Sequence, residues 1–408
     1  MRVLLSTWGS RGDVEPIAAL AVQLRASDVE ARVCAPPDFA ELLARVGVEF
    51  VPAGQSVRAL VHGTDGAKPS TPADAPRVAA ALVAAQFESV LPAAQGCDAV
   101  VATGLMPAGV RTVADVLGIP YVLVALQSGS LPSPHQKPLP RPGKPFPPGE
   151  TDNRVLWKVD AERVQALYGE PLNTQRAKHG LPPVDNVRDH VFTDRPWLAA
   201  DPILAPWPGS PYLDVVQTGA WFLPDERPLP ADLIAFLDAG TPPVYVGFGS
   251  VRVPDGIARV AIEAIRAQGR RAIVGRGWAE LAQTDDRDDC FVVGEVNHQA
   301  LFSRVAAVVH HGGAGTTTTA AKAGAAQVVV PQIADQPYWA GRVADLGIGA
   351  AHDGSTPTVE SLSAALEKAL AADTRARATA VAGLIRTDGT MVAAQRLIEV
   401  VNCERFAV

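Results

Sequence analysis

Ala306-Ala307-Val308-Val309-His310-His311-Gly312-Gly313-Ala314-Gly315-Thr316-Thr317, followed by Pro331-Gln332-Ile333-Ala334-Asp335-Gln336, decides the fold. Ala306–Val309 reads as a buried strand, the glycines as a turn, Thr316–Ala323 as a helix and Gln327–Val330 as a second strand. Strand, helix and strand in that order imply a parallel sheet. A helix start carries unpaired N–H groups and a partial positive charge, so this turn is built to hold phosphate. Asp335 and Gln336 put a carboxylate and an amide just past an apolar run, where vicinal hydroxyls can be read. Together the two halves suggest a nucleotide-sugar site.

The same rhythm extends outward. Val244–Gly247, Arg271–Val274 and Phe291–Val293 read as strands, Ile257–Ala267 as a helix, and Met391–Val401 as a closing helix. Toward the N-terminus, Val3–Ser6, Ala31–Ala35, Ala99–Thr103 and Tyr121–Leu126 are strand candidates. Helical patterns lie between them at Ala79–Val90 and Ala108–Val116, and Pro16 reads as the start of a helix running to about Ala26. The expected fold class is therefore α/β, with two doubly wound parallel sheets. The divisions expected are residues 1–200, a linker over 201–230 inside the Pro-, Trp- and Asp-rich stretch Asp194–Pro230, residues 231–390, and a final segment 391–408. Gln55–Pro76 and Ser128–Gly149, the latter with eight prolines, break the rhythm. Each is either a mobile surface insertion or the wall of a binding cleft.

At 408 residues the chain is too long for one ordinary core. A net charge of −7 argues against nucleic acid as a partner. Cysteines 34, 97, 290 and 403 are too scattered for a disulfide framework or a zinc site. Val3-Leu4-Leu5 is too short for a signal peptide or a membrane span, so a cytoplasmic protein without stable membrane insertion is expected, with a monomer as the default.

Among chemistry-bearing residues, Gly9-Ser10-Arg11-Gly12-Asp13 offers a hydroxyl, a guanidinium and a carboxylate after the first strand. An Asp near a helix start is expected to stay ionised and can accept a proton from a hydroxyl nucleophile. The alternative is a helix cap that only satisfies backbone N–H groups. Gly247-Phe248-Gly249-Ser250 repeats the arrangement, and Ser250 can cap a helix or bind phosphate. His311 can donate to a diphosphate, with Gly313, Gly315 and Thr316 supplying N–H groups and a hydroxyl, whereas His310 faces the other way and reads as structural. Asp285-Asp286-Arg287-Asp288-Asp289 contains an Asp-x-Asp able to chelate a divalent ion, but its polar surroundings favour a solvated loop, and no metal is expected.

At these residues the chain resembles the GT-B glycosyltransferases, and within them the glycopeptide-antibiotic (vancomycin and teicoplanin type) group of bacterial natural-product enzymes. The motifs that carry it are the turn at 9–13, Thr193–Pro202, Gln217–Trp221, Pro243–Ser250, Arg276–Ala279, Val293–Asn297, the 310–317 segment and Asp335-Gln336-Pro337. The resemblance implies an inverting, metal-independent hexosyltransferase with no cofactor beyond its nucleotide-sugar co-substrate. Asp13 would be the general base. Ser10, Arg11, Ser250, His311, Gly313, Gly315 and Thr316 would hold the diphosphate, Val293 and Val296 would flank the base, and Asp335 and Gln336 would bind the sugar. The N-terminal domain would take a heptapeptide aglycone, and the last helix would pack back on it. Pro331-Gln332 ahead of Asp335-Gln336 resembles the members that use UDP-hexoses rather than dTDP-sugars. Competing readings are a macrolide or sterol acceptor, a UDP-sugar 2-epimerase, and a non-catalytic partner protein.

Overall fold

Val3, Leu4 and Leu5 are wholly buried because β1 (Arg2–Trp8) lies inside a parallel sheet, flanked by β2 (Glu30–Ala35) and β4 (Ala99–Gly104). The computed structural model describes residues 1–63, 71–141, 144–282, 285 and 287–405. With β3 (Glu49–Pro52), β5 (Tyr121–Ala125), β6 (Trp197–Leu198) and β7 (Val216–Gln217), the sheet runs β3-β2-β1-β4-β5-β6-β7. It belongs to one compact unit, Met1–Leu223 with Arg386–Val408.

The second unit, Pro224–Ile385, holds β8 (Val244–Gly247), β9 (Ala272–Gly275), β10 (Cys290–Val293), β11 (Ala307–His310), β12 (Ala326–Val329) and β13 (Gly349–Ala351) in the order β10-β9-β8-β11-β12-β13. Val244 and Val246 enter one core with Ile262 and Leu366, while Tyr245 between them enters another with Phe302. A sheet covered on both faces reads as continuous apolar runs, which is why its strands were visible in the sequence. Both orders follow the doubly wound pattern. Strand order therefore reverses between β1 and β4, and again between β8 and β11, where a crevice opens at the strands' carboxyl ends.

Several boundaries differ from expectation. The first helix is Arg11–Ala26, so Pro16 is its sixth residue and Arg11–Asp13 form its first turn. Helix Asn153–Lys178 left no clear stripe because it buries Asp160, Gly169 and Arg176 along with its apolar residues. The expected linker is split. Val216–Gln217 adds the last strand of the first sheet, and the unit boundary falls after Leu223. The closing helix, Gly389–Arg405, packs on helix Arg11–Ala26. Just before it, the Arg386 N–H donates to buried Asp201 at 2.9 Å, and a Cβ on Gly389 would lie 2.3 Å from the Ala220 carbonyl oxygen.

The irregular stretches have local order. Gln55–Pro76 contains the helix Val57–His62, capped by Ser56, while residues 64–70 lie outside the described residues. The Pro-rich stretch is tied down by one side of helix Asn153–Lys178 (residues 142–143 lie outside the described ones). Asn153 donates to the Pro134 carbonyl, Trp157 to Gln136, Arg163 to Lys144 and Pro145, and Arg141 pairs with Asp160 at 2.7 Å. Pro72–Ala94 is long and apolar enough by composition to cross a membrane, yet its Leu82 and Phe87 side chains are buried within the first unit.

A partly buried charge network fastens helices Ala108–Leu117, Asn153–Lys178 and Val187–Phe192. Arg176 donates to Thr112 at 3.0 Å and to Asp115 at 2.9 Å, and Arg111 also pairs with Asp115 at 3.1 Å. Burial, reinforced by the two guanidiniums, pushes His190 down to about 4 despite Asp115. Asp115→Asn strands the Arg176 charge, and we expect a loss of about 3 kcal/mol in urea unfolding. Replacing both partners, Asp115→Leu with Arg176→Met, should recover part of it. A single-variant loss below about 1 kcal/mol would contradict this account.

Candidate functional site

His310 ends β11 and is fully buried, and it fixes the turn that follows. The Gly312 N–H donates to its Nδ1 at 3.1 Å, so Nε2 carries the proton and donates to Gln327 Oε1 at 2.9 Å. Gly312 has φ 90°, and a Cβ there would meet the Val329 side chain at 2.7 Å. Burial drives His310 down to about 3, so it is neutral and structural.

His311 then projects beside the helix Ala314–Lys322, whose N-cap is Gly313. Its imidazole lies between two glycines. A Cβ on Gly249 (φ 59°) would approach Cε1 to 3.1 Å, and one on Gly313 would approach Nε2 to 2.5 Å. The Gly249 turn is pinned in its own right, since Trp278 N–H donates to its carbonyl at 2.9 Å. The ring's Nδ1 is buried and has no partner among the described residues. Desolvation holds the imidazole neutral, with its pKa pushed down to about 4. No side chain caps this helix, so the N–H groups of its first turn (Ala314, Gly315, Thr316) face outward at the positive end of the dipole. A Cβ on Gly315 would meet nothing. The Gly249–His311 contact was missed from sequence, although the Gly-x-Gly spacing at 247–249 was its signal.

Other expected positions are placed differently. Ser250 does not cap the following helix, because six residues separate it from Ile257 and Gly256 is the N-cap. Asp335 stands at the N-cap position of helix Gln336–Asp345 without a side-chain cap bond, and instead accepts from Trp339 Nε1 at 2.8 Å, while burial raises its pKa. Gln336 is buried, and its Oε1 accepts from Gln332 N–H at 2.7 Å and Ile333 N–H at 3.0 Å. It therefore braces the loop around Ala334, which sits at φ 56°. Val293 and Val296 have their side chains in the core with Tyr245 and Phe302, so only their main chain can face a ligand. In the acidic run, Arg266 grips Asp285 and Asp289, each at 2.6 Å (Asp286 lies outside the described residues). Two of those carboxylates are thereby committed to a guanidinium, which holds Asp285 near 2.

In the first unit, Asp13 and Ser10 form a reciprocal cap. Ser10 N–H donates to Asp13 Oδ2 at 2.8 Å, and the Ser10 side chain faces the Asp13 backbone in return. Gly9 leaves room for this carboxylate, since a Cβ there would lie 2.2 Å from Oδ2. Arg11 pairs with Glu15 one turn on, at 3.0 Å. The capping role weighed for Asp13 is thus real, and it orients the carboxylate at the β1–β4 reversal.

Both halves match known families. The glycosyltransferase family 28 N-terminal domain matches residues 3–123, and the erythromycin biosynthesis protein CIII-like C-terminal domain matches residues 285–401. Glycosyltransferase GtfE of Amycolatopsis orientalis is 59% identical over the whole of both chains. The vancomycin aglycone glucosyltransferase of that organism is 56% identical and its dTDP-epi-vancosaminyltransferase 50%, again over the whole of both chains. A solved structure, the glycotransferase of kitacinnamycin, superposes with a TM-score of 0.74 at 20% identity, covering 98% of each chain. A two-domain GT-B glycosyltransferase is the class that this fold and these motifs define. The chain belongs to the glycopeptide-antibiotic group of that family.

The neutral histidines give a stability signature. Their folded pKa values lie below the ordinary value of 6.5, so below that pH the unfolded chain binds more protons and stability falls as pH drops. Each histidine contributes a slope of about 1.4 kcal/mol per pH unit. Between pH 6.5 and 5, wild type should lose about 2 kcal/mol more than His310→Asn in urea titrations. Equal losses would show that His310 is protonated in the fold.

Proposed function

We propose that this glycosyltransferase moves a hexose from a UDP-sugar to a hydroxyl of a vancomycin-type glycopeptide aglycone, with inversion and without a metal ion. The observation that carries the donor half is the His311 imidazole, clamped between Gly249 and Gly313 at an uncapped helix start, with a buried Nδ1 that has no partner among the described residues. A neutral imidazole N–H and first-turn backbone N–H groups are dipoles suited to a diphosphate, and they can stabilise it as a leaving group. Asp335, held by Trp339, supports reading of the sugar hydroxyls. The acceptor is supported by the named substrate of the 56% identical relative.

In this reading the acceptor hydroxyl attacks the sugar's anomeric carbon while the bond from that carbon to the diphosphate breaks. The hydroxyl proton passes to Asp13, whose Oδ2 is anchored by Ser10. UDP leaves with the negative charge, against His311 and the helix start. The segment Pro331-Gln332 ahead of Asp335-Gln336 supports UDP, and the 50% identity to a dTDP-sugar enzyme makes dTDP the donor to test against it.

The direct test supplies UDP-glucose, UDP-N-acetylglucosamine or dTDP-glucose with vancomycin-type aglycone and follows hexose addition by mass spectrometry. We expect product from a UDP-sugar, the β-anomer by proton coupling, and no loss of rate in EDTA. Product from dTDP-glucose alone overturns the donor, and a requirement for metal overturns the dipole cradle. Asp13→Asn should lower kcat by about 10²–10⁴-fold with donor KM little changed. Gly313→Ala pushes against the imidazole and should weaken UDP binding measured by calorimetry. Gly315→Ala has steric room within the protein, so its effect reports on the ligand alone, and a stronger loss at 315 than at 313 would shift the cradle from His311 to the backbone.

A further inference from the structure

We propose that Trp8 is the specificity-determining wall of the acceptor site, backing an aromatic ring of the acceptor so that its hydroxyl stays beside Asp13. This rests on reading residues 9–13 as the acceptor-activating turn. Trp8 is the last residue of β1, pairs in register with Gly104 of β4, and directly precedes that turn. It therefore stands at the strand-order reversal of the first sheet.

Its indole is held from below by Gly54, which has φ 75° and where a Cβ would come within 2.6 Å of Nε1. Nε1–H reaches the Gln55 carbonyl at 3.3 Å. Two hollows flank the ring, with Trp8, Gly54 and Leu82 bordering both. The outer one is walled by Leu60, Val78 and Ala81. The inner one reaches Ser6, Gln86 and Thr103. Thr103 already donates to Val124 at 2.7 Å, and Gln86 accepts from Gly109 at 2.8 Å, so the inner hollow has polar groups with partners. As it stands that hollow has room for about one water molecule, so the indole fills the space that an acceptor ring would otherwise enter.

The indole is thus a partition. On its main-chain side, Leu105 N–H donates to the Trp8 carbonyl at 2.9 Å, and Leu105 is 45% exposed. Joined through their main chains, Trp8 and Leu105 bring two apolar side chains to the strand end that leads into the capped Asp13. Aryl groups gain from stacking on indole, and the glycopeptide aglycone of the proposed reaction is rich in them. Removing the indole vacates the volume of an aromatic ring between the two hollows, and an acceptor ring settling there carries its hydroxyl away from Asp13.

The test compares wild type, Trp8→Ala and Trp8→Phe in the full chain, with vancomycin-type aglycone and UDP-glucose. We expect Trp8→Ala to raise acceptor KM about tenfold while donor KM stays within about twofold, and Trp8→Phe to stay near wild type. Free indole should refill the space in Trp8→Ala, raise its melting temperature and return acceptor KM toward wild type. An unmoved acceptor KM, a parallel rise in donor KM, or an indole that restores stability without restoring acceptor KM would each overturn the assignment. If Trp8→Ala fails to fold, Trp8→Leu and Trp8→Phe carry the comparison, and equal acceptor KM for both and for wild type overturns it. A wild type that makes no hexosylated aglycone would instead overturn the proposed function.

Discussion

The hydrogen bond from Gly312 N–H to His310 Nδ1 is the constraint on which the candidate site of the second unit depends. It fixes the tautomer of a fully buried histidine, which then ties β11 to β12 through Gln327. With the chain reversed at Gly312, the next side chain has one slot, between Gly249 and Gly313, and the helix must begin at once. One bond at a strand end thus places an imidazole, two close glycine contacts and a helix dipole in a fixed relation. That is preorganisation in a literal sense, since these groups have little freedom left to lose when a ligand arrives.

The groups gathered at the start of helix Ala314–Lys322 are dipoles. His310 and His311 are kept neutral by burial. Neutral donors hold an anion less tightly than guanidiniums would, and their grip is less sensitive to salt. For an enzyme that must let a charged nucleotide go after each turnover, a moderate hold is an advantage.

Much of the architecture was legible because parallel strands buried on both faces announce themselves as apolar runs, as Val3–Leu5, Val244–Val246 and Val308–Val309 do. Helix Asn153–Lys178 was not legible, because its interior side is part polar: Asp160 and Arg176 are buried and paired, and Gly169 sits against Gln165. In the candidate site, residue identity was readable but direction was not. Spacing could not say that Gln336 turns back to brace its own loop, or that Val293 and Val296 point into the core. Nor could it separate capping from chemistry at Asp13, because one carboxylate can serve both ends. The contact of Gly249 with His311 joins residues 62 positions apart, so the Gly-x-Gly at 247–249 marks a close approach without naming its partner.

The tail that returns to the first unit has a consequence for recombination. Residues 386–408 belong with residues 1–223, and their entry is fixed twice, by Asp201 gripping the Arg386 amide and by Gly389 pressed against Gly219 and Ala220. A module exchange between relatives therefore has two natural splice points, after Leu223 and after Ile385. A chimera cut only at the first would inherit a foreign tail against its own helix Arg11–Ala26, with the glycine crossing left to chance. The second unit is best regarded as an insert within the chain of the first, and module exchange among these enzymes should respect that nesting.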